Sequence, residues 1–279
     1  MPPSTRGEPA QAPVPPPALS FTSLGSGPAV LLLHGQPGTG AAFFRLQPLL
    51  AQAGLRAITI DRPGYGRTGG SAVGFTENAR RAFSLLDGLG IDEVTVFGHS
   101  WSGGSAIAMA LEQPERVRGL VLQGSVGGTG SVTLADRMLA LPVLGALAMG
   151  AGLRATALTL PRDRIRRRLA PELDGVPPYR LAGMAMVWGH ARTARAVAHE
   201  QQRLIDELPT LTARLPDVRT PAIVLVGRAD KRVSVASQLD LAHRLPGAEL
   251  SQVPGGHLLA VEAAEVVVSA VLRVTPTTG

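Results

Sequence analysis

From Ala29 onward, short apolar runs alternate with amphipathic stretches. Residues 29–33, 55–60, 93–97 and 117–123 have the length and apolar content of strands. Between them, residues 41–53, 76–89 and 102–111 carry helical spacing; Gly90 ends the second and Pro114 lies just beyond the third. This β-then-α order predicts a mostly parallel sheet covered by helices on both faces. Right-handed crossovers then bring the C-terminal ends of the strands to one edge, where the sites of such sheets form. The alternation stops after Ser125, and residues 131–215 show helical patterns without a convincing strand. It resumes with a strand at 222–226, a helix at 235–244, a strand at 248–253 and a helix at 261–274. The simplest account is an α/β core, residues 18–126 and 216–279, with a helical lid, residues 127–215, inserted between two halves of one sheet. Residues 1–17 are rich in proline with little to bury, and are expected to be a disordered tail.

Three of the predicted strand ends carry chemistry. The strand over 93–97 runs into Gly98-His99-Ser100-Trp101-Ser102-Gly103-Gly104, which then opens a helix. A serine on such a sharp turn is held in a strained backbone conformation that lifts its hydroxyl above the sheet. Strand and helix nearly touch there, so the residues two before and two after must be small, as Gly98 and Ser102 are. Ser100 is therefore the expected nucleophile, with Ser102 as its rival. A serine hydroxyl needs a base to take its proton, and that base needs an orienting carboxylate. Asp230 lies just past the strand at 222–226 and His257 just past the strand at 248–253. Both are thus expected at the edge that holds Ser100.

Acyl transfer also requires N–H donors aimed at a developing oxyanion. The turn His34-Gly35-Gln36-Pro37-Gly38 follows the strand over 29–33. The backbone N–H groups of Gln36 and Trp101, the latter at a helix N-terminus, are the candidates. His34 and Asp61 are expected to hold their loops, and His99 to pack beside the nucleophile. His190, His199 and His243 lack metal-ligand company, so no metal site is expected.

A chain of 279 residues suits one large domain, or a core carrying an insertion. It has no cysteine, which excludes disulfides and thiolate nucleophiles. The net charge is +6, mostly from arginine. In the densest cluster, Arg162, Arg164, Arg166, Arg167 and Arg168, the residues Arg164, Arg167 and Arg168 share one helical face, which reads as the solvated face of an amphipathic helix, and no nucleic-acid motif accompanies it. The most apolar segment, residues 138–153, is interrupted by Pro142, Gly145, Gly150 and Gly152 and is shorter than the roughly 20 residues of a membrane span. The expectation is a cytoplasmic protein acting on a small molecule, without nucleic-acid or membrane partners.

The stretches His34-Gly35-Gln36-Pro37-Gly38, Asp61-Arg62-Pro63-Gly64-Tyr65-Gly66, Gly98 to Gly104, Gly227-Arg228-Ala229-Asp230 and Gly256-His257 together resemble the α/β-hydrolase superfamily, from about Ser20 to the C-terminus. The resemblance implies an eight-stranded, mostly parallel sheet, a lid after the sixth strand, the order Ser, Asp, His for the triad, and no cofactor. Haloalkane dehalogenases and epoxide hydrolases of this fold use aspartate as nucleophile, whereas position 100 is serine. Serine attacks carbonyl carbon, so the leading expectation is hydrolysis of a carboxylic ester or lactone of a small apolar substrate through an acyl-enzyme. Leu144, Met184 and Trp188 of the lid are the candidates to line an acyl pocket. The alternatives are a carbon–carbon bond hydrolase or cofactor-free perhydrolase on the same triad, or an aminopeptidase similar to proline iminopeptidase. The aminopeptidase would use Glu200 and Glu207 to hold the substrate amine. A non-catalytic binding protein is the remaining reading.

Overall fold

A computed structural model describes residues 18–141 and 143–275. The apolar runs form one seven-stranded sheet: β1 (Phe21–Leu24), β2 (Ala29–Leu33), β3 (Arg56–Ile60), β4 (Val94–His99), β5 (Val117–Gln123), β6 (Ala222–Gly227) and β7 (Glu249–Val253). Their order is β1-β3-β2-β4-β5-β6-β7. All neighbours are parallel except β1 and β3, which pair antiparallel. The inner strands are almost wholly buried, as strands covered on both faces must be.

Helices α1 (Leu46–Gln52), α2 (Phe75–Gly88) and α3 (Ser102–Glu112) connect the first five strands. Five helices follow β5: α4 (Leu134–Leu139), α5 (Leu144–Thr159), α6 (Asp163–Leu169), α7 (Pro178–Gly189) and α8 (Ala191–Ala213). The chain closes with α9 (Val235–Arg244), α10 (Leu259–Glu262) and α11 (Ala264–Val274). Side chains alternate across each strand, so the sheet feeds two cores. Leu31 and Leu33 meet Phe75 of α2, Ile107 of α3 and Leu241 of α9 on one face. Val30 and Leu32 meet Leu46 of α1 and Val271 of α11 on the other.

The structure corrects several expectations. The described residues hold seven strands, not eight. Only Ala18, Leu19 and Ser20 are described ahead of β1, too few to add a further strand, and residues 1–17, expected as a tail, lie outside the described residues. The strand β1 itself lacks an apolar run; its residues are exposed, and pairing with β3 rather than burial holds it. The helix expected over 41–53 is a short 3-10 turn, Gly40–Phe43, followed by α1. Pro48 accounts for the break, because proline fits only the first turn of a helix.

The segment between β5 and β6 is helical, but it is not cleanly separate from the core. Leu204, Leu208 and Leu211 of α8 pack into the same core as α2 and α3. In the arginine cluster, Arg164, Arg167 and Arg168 are exposed as expected, and Arg166 is turned inward. Arg166 is buried, 2.6 Å from Asp163, and donates to the Leu160 carbonyl, while Arg167 lies 3.4 Å from Asp174. Among the described residues, no helix is long and apolar enough to cross a membrane.

Burial separates two kinds of leucine. Leu122→Ala in β5 empties space inside a fully buried core and should cost about 2–5 kcal/mol in urea unfolding. Leu147→Ser on the exposed side of α5 should stay within about 0.5 kcal/mol of the parent.

Candidate active site

At the end of β4 the chain reverses into α3 through Ser100. Among the described residues, Ser100 is the one non-glycine residue with positive φ, at 57°. Such strain costs on the order of 1–3 kcal/mol and persists only where neighbours enforce it. They do so here. The Ser100 N–H donates to the Gln123 carbonyl at 2.9 Å, and the Ser100 carbonyl accepts from Gly103 N–H at 3.0 Å and Val126 N–H at 3.2 Å. Strand and helix touch: a Cβ on Gly98 would lie 2.8 Å from Ala106 Cβ and 2.9 Å from Gly103 Cα. Ser102, the rival nucleophile, is buried and donates to the Leu33 carbonyl at 2.6 Å and the His99 carbonyl at 3.0 Å. Its hydroxyl ties α3 to the strands beneath it.

The sheet edge brings Ser100, Asp230 and His257 together. His257 Nε2 lies 2.9 Å from Ser100 Oγ, and His257 Nδ1 lies 2.9 Å from Asp230 Oδ2. An ionised carboxylate only accepts, so Nδ1 carries the ring proton and Nε2 faces the serine as acceptor. Asp230 Oδ1 accepts from the N–H groups of Arg232 at 2.8 Å and Val233 at 3.2 Å, and Gln238 Nε2 donates to Oδ2 at 2.9 Å. Burial alone would raise the Asp230 carboxyl. The bond to His257, its charge and these backbone donors outweigh burial and hold the group below its ordinary value.

His99, expected to pack beside the nucleophile, and Gln123, at the end of β5, hold the His257 backbone. Its carbonyl accepts from Gln123 Nε2 at 2.6 Å and from His99 Nε2 at 3.0 Å. Burial first, and then the neighbouring His257, pull the His99 pKa down to about 3, so it is neutral at ordinary pH. The signals were a glutamine ending an apolar strand and a histidine beside the elbow. Neither betrays a partner more than 130 positions away in the chain.

The loop after β2 presses against the nucleophile. A Cβ on Gly35 would lie 2.8 Å from Ser100 Cβ, so only glycine allows this approach. Among the described residues, the backbone N–H groups of Gln36 and Trp101 donate to no protein acceptor. Asp61 secures the neighbouring loop by accepting from Gly40 N–H at 2.9 Å and Arg67 N–H at 2.8 Å.

Glu200 of α8 is wholly buried, where its carboxylate meets Arg62 and, at 2.6 Å, the Tyr65 hydroxyl. Glu207 accepts from Phe75 N–H at 2.7 Å, capping α2. Both lid carboxylates of the aminopeptidase reading are therefore engaged within the protein. Of the expected pocket residues, Met184 and Trp188 pack beside Leu181 and Val261. Leu144 does not join them and is 69% exposed, because Gly145, Leu153 and Ala157 occupy the inward face of α5. A cavity of about 470 Å³ between β1, the loop at Thr39 and Arg180 includes no triad candidate.

Comparison with known proteins agrees with this architecture. Residues 28–264 match the sequence pattern of the family described as alpha/beta hydrolase fold. The chain is 31% identical over 248 residues to a 2-hydroxy-6-oxononadienedioate/2-hydroxy-6-oxononatrienedioate hydrolase of Dechloromonas aromatica (strain RCB), covering 83% of this chain and 81% of that one. It is 32% identical over 254 residues to a 2-hydroxymuconate semialdehyde hydrolase of Pseudomonas putida, covering 86% and 84%. Its backbone is similar to the enol-lactonase from Burkholderia xenovorans LB400, with a TM-score of 0.73, 18% identity, and 91% and 95% of the chains covered.

The buried histidines set an acid limit on stability. His34, like His99, is pulled below its ordinary value of 6.5, chiefly by burial. In the unfolded chain each takes a proton near pH 6.5, whereas folded His99 resists down to about 3. Their contribution is therefore full above pH 6.5 and is lost as pH falls from there toward 3. The urea midpoint should decline across that window, and His99→Asn should decline less steeply.

Proposed function

The chain belongs to the α/β-hydrolase fold family, and we propose that within it this protein is a serine hydrolase cleaving a carboxylic ester or lactone of a small apolar substrate. The observation that carries this reading is the relay from Ser100 Oγ through His257 to Asp230, two contacts of 2.9 Å, on a serine held at φ 57°. Neutral His257 takes the Ser100 proton as Oγ attacks the carbonyl carbon. The Gln36 and Trp101 N–H groups receive the oxyanion of the tetrahedral intermediate. His257 then returns the proton to the departing alkoxide, leaving an acyl-enzyme. A water molecule, activated by the same imidazole, releases the acid. In a lactone the alkoxide stays tethered, and the product is a hydroxy acid. In this reading, helices α4 to α8 act as the lid, and Met184 and Trp188 lie toward the acyl side.

Carbon–carbon bond hydrolysis on the same triad is the second reading, and the relatives from Dechloromonas aromatica and Pseudomonas putida favour it. The first of these is named for a dicarboxylate. A dianion calls for cationic partners, yet Arg62, which stacks on Trp101 beside the serine, is neutralised by Glu200. That pairing supports the uncharged ester or lactone.

A fluorophosphonate probe should label Ser100, and the site should be identified by mass spectrometry of the modified peptide. Ser100→Ala should abolish both labelling and turnover of a short-acyl ester panel while the fold persists. Labelling at Ser102 would move the nucleophile by two residues. Asp230→Asn should lower kcat by about 10³–10⁴-fold, with the His257 proton misplaced.

A further inference from the structure

The Gln36 N–H belongs to the peptide whose carbonyl is that of Gly35. A peptide is planar, so fixing the carbonyl fixes the N–H on the opposite side. Two side chains face that carbonyl. His34 Nδ1 lies 2.8 Å from it and Arg62 Nη2 lies 3.5 Å from it. The His34 tautomer is set by Arg62, whose backbone N–H donates to His34 Nε2 at 3.0 Å and so leaves the ring proton on Nδ1. The Arg62 Nε–H also donates to the His34 carbonyl at 2.8 Å. One arginine thus grips both peptides that lead into Gln36.

Arg62 is wholly buried, and its charge is met by Glu200, 138 positions later on α8. The Glu200 carboxylate also takes the Tyr65 hydroxyl at 2.6 Å, and the Glu200 carbonyl takes Trp101 Nε1 at 3.2 Å. The Arg62 guanidinium lies 4.7 Å from the centre of the Trp101 ring. The same pair therefore touches the side chain of the residue that supplies the second candidate N–H.

We infer that Arg62 and Glu200 are positioning residues: the helical segment after β5 reaches through α8 to orient the Gln36 and Trp101 amides. This rests on the serine-hydrolase reading. A buried ion pair is a poor source of net stability, since apolar or neutral replacements of similar volume often serve as well. Removing one member alone leaves a buried charge uncompensated. The informative change is therefore the neutral pair Arg62→Met with Glu200→Gln, which keeps an acceptor for Tyr65.

The experiment measures thermal unfolding, kcat and KM on a short-acyl ester, and the second-order rate of fluorophosphonate labelling. The doubly substituted protein should unfold cooperatively, close to the parent. Its kcat and its labelling rate should both fall at least tenfold, with KM within about threefold, because the donors act on the oxyanion and not on the bound ester. Glu200→Gln alone should lose activity similarly and unfold more easily. If the doubly substituted protein folds and labels at the parental rate, the pair is only structural and the inference is overturned. If the substitution unfolds the protein, Tyr65→Phe supplies the second reading, expected to slow labelling with a cooperative unfolding transition retained; a parental labelling rate there also overturns it. A parent left unmodified at Ser100 defeats the serine-hydrolase reading itself, and the inference with it.

Discussion

Ser100 sits at φ 57°, where a side chain and the following carbonyl crowd each other, and it stays there because its neighbours leave no alternative. The backbone bonds to Gln123, Gly103 and Val126 close the turn from three sides. The contact between Gly98 and Gly103 lets α3 start directly against β4. Everything else at the sheet edge is arranged around this enforced turn. Gly35 brings the loop after β2 against the serine, and Gln123 carries the end of β5 to the His257 carbonyl.

The three side chains of the relay lie in a nearly dry setting, and each is hydrogen-bonded to the next. Ser100 and His257 are buried, yet Asp230 has four hydrogen-bond donors around it, the His257 ring among them. Unpaired, any of these groups would carry a desolvation cost comparable to several ordinary hydrogen bonds. The pairing makes the relay rigid. It also makes it directional, because the Asp230 carboxylate dictates which nitrogen of His257 holds the proton.

Arg62 and Glu200 extend the same logic across the molecule. Their contact joins the loop after β3 to α8, while the apolar half of α8 packs on α2 and α3. The helical segment is thereby bound to the core by an apolar seam and a buried charge pair. Its outer face, with Leu144 and Leu147 turned to solvent, takes no part in that attachment.

Much of the fold and of the candidate site was legible in the chain itself. Strand and helix periodicity, the glycines of the elbow, and the placement of Ser100, Asp230 and His257 after strands are local properties, and right-handed crossovers convert that local order into a shared edge. What was not legible depends on partners distant in sequence. The strand β1 exists through its pairing with β3, Leu144 points outward because other residues of α5 claim the inward face, and His99 and Gln123 have roles only once His257 lies above them. The Arg62–Glu200 pair spans 138 positions. Periodicity shows which residues can be buried on one element, but only tertiary packing decides which buried polar groups meet, because that depends on contacts between elements that no local pattern encodes.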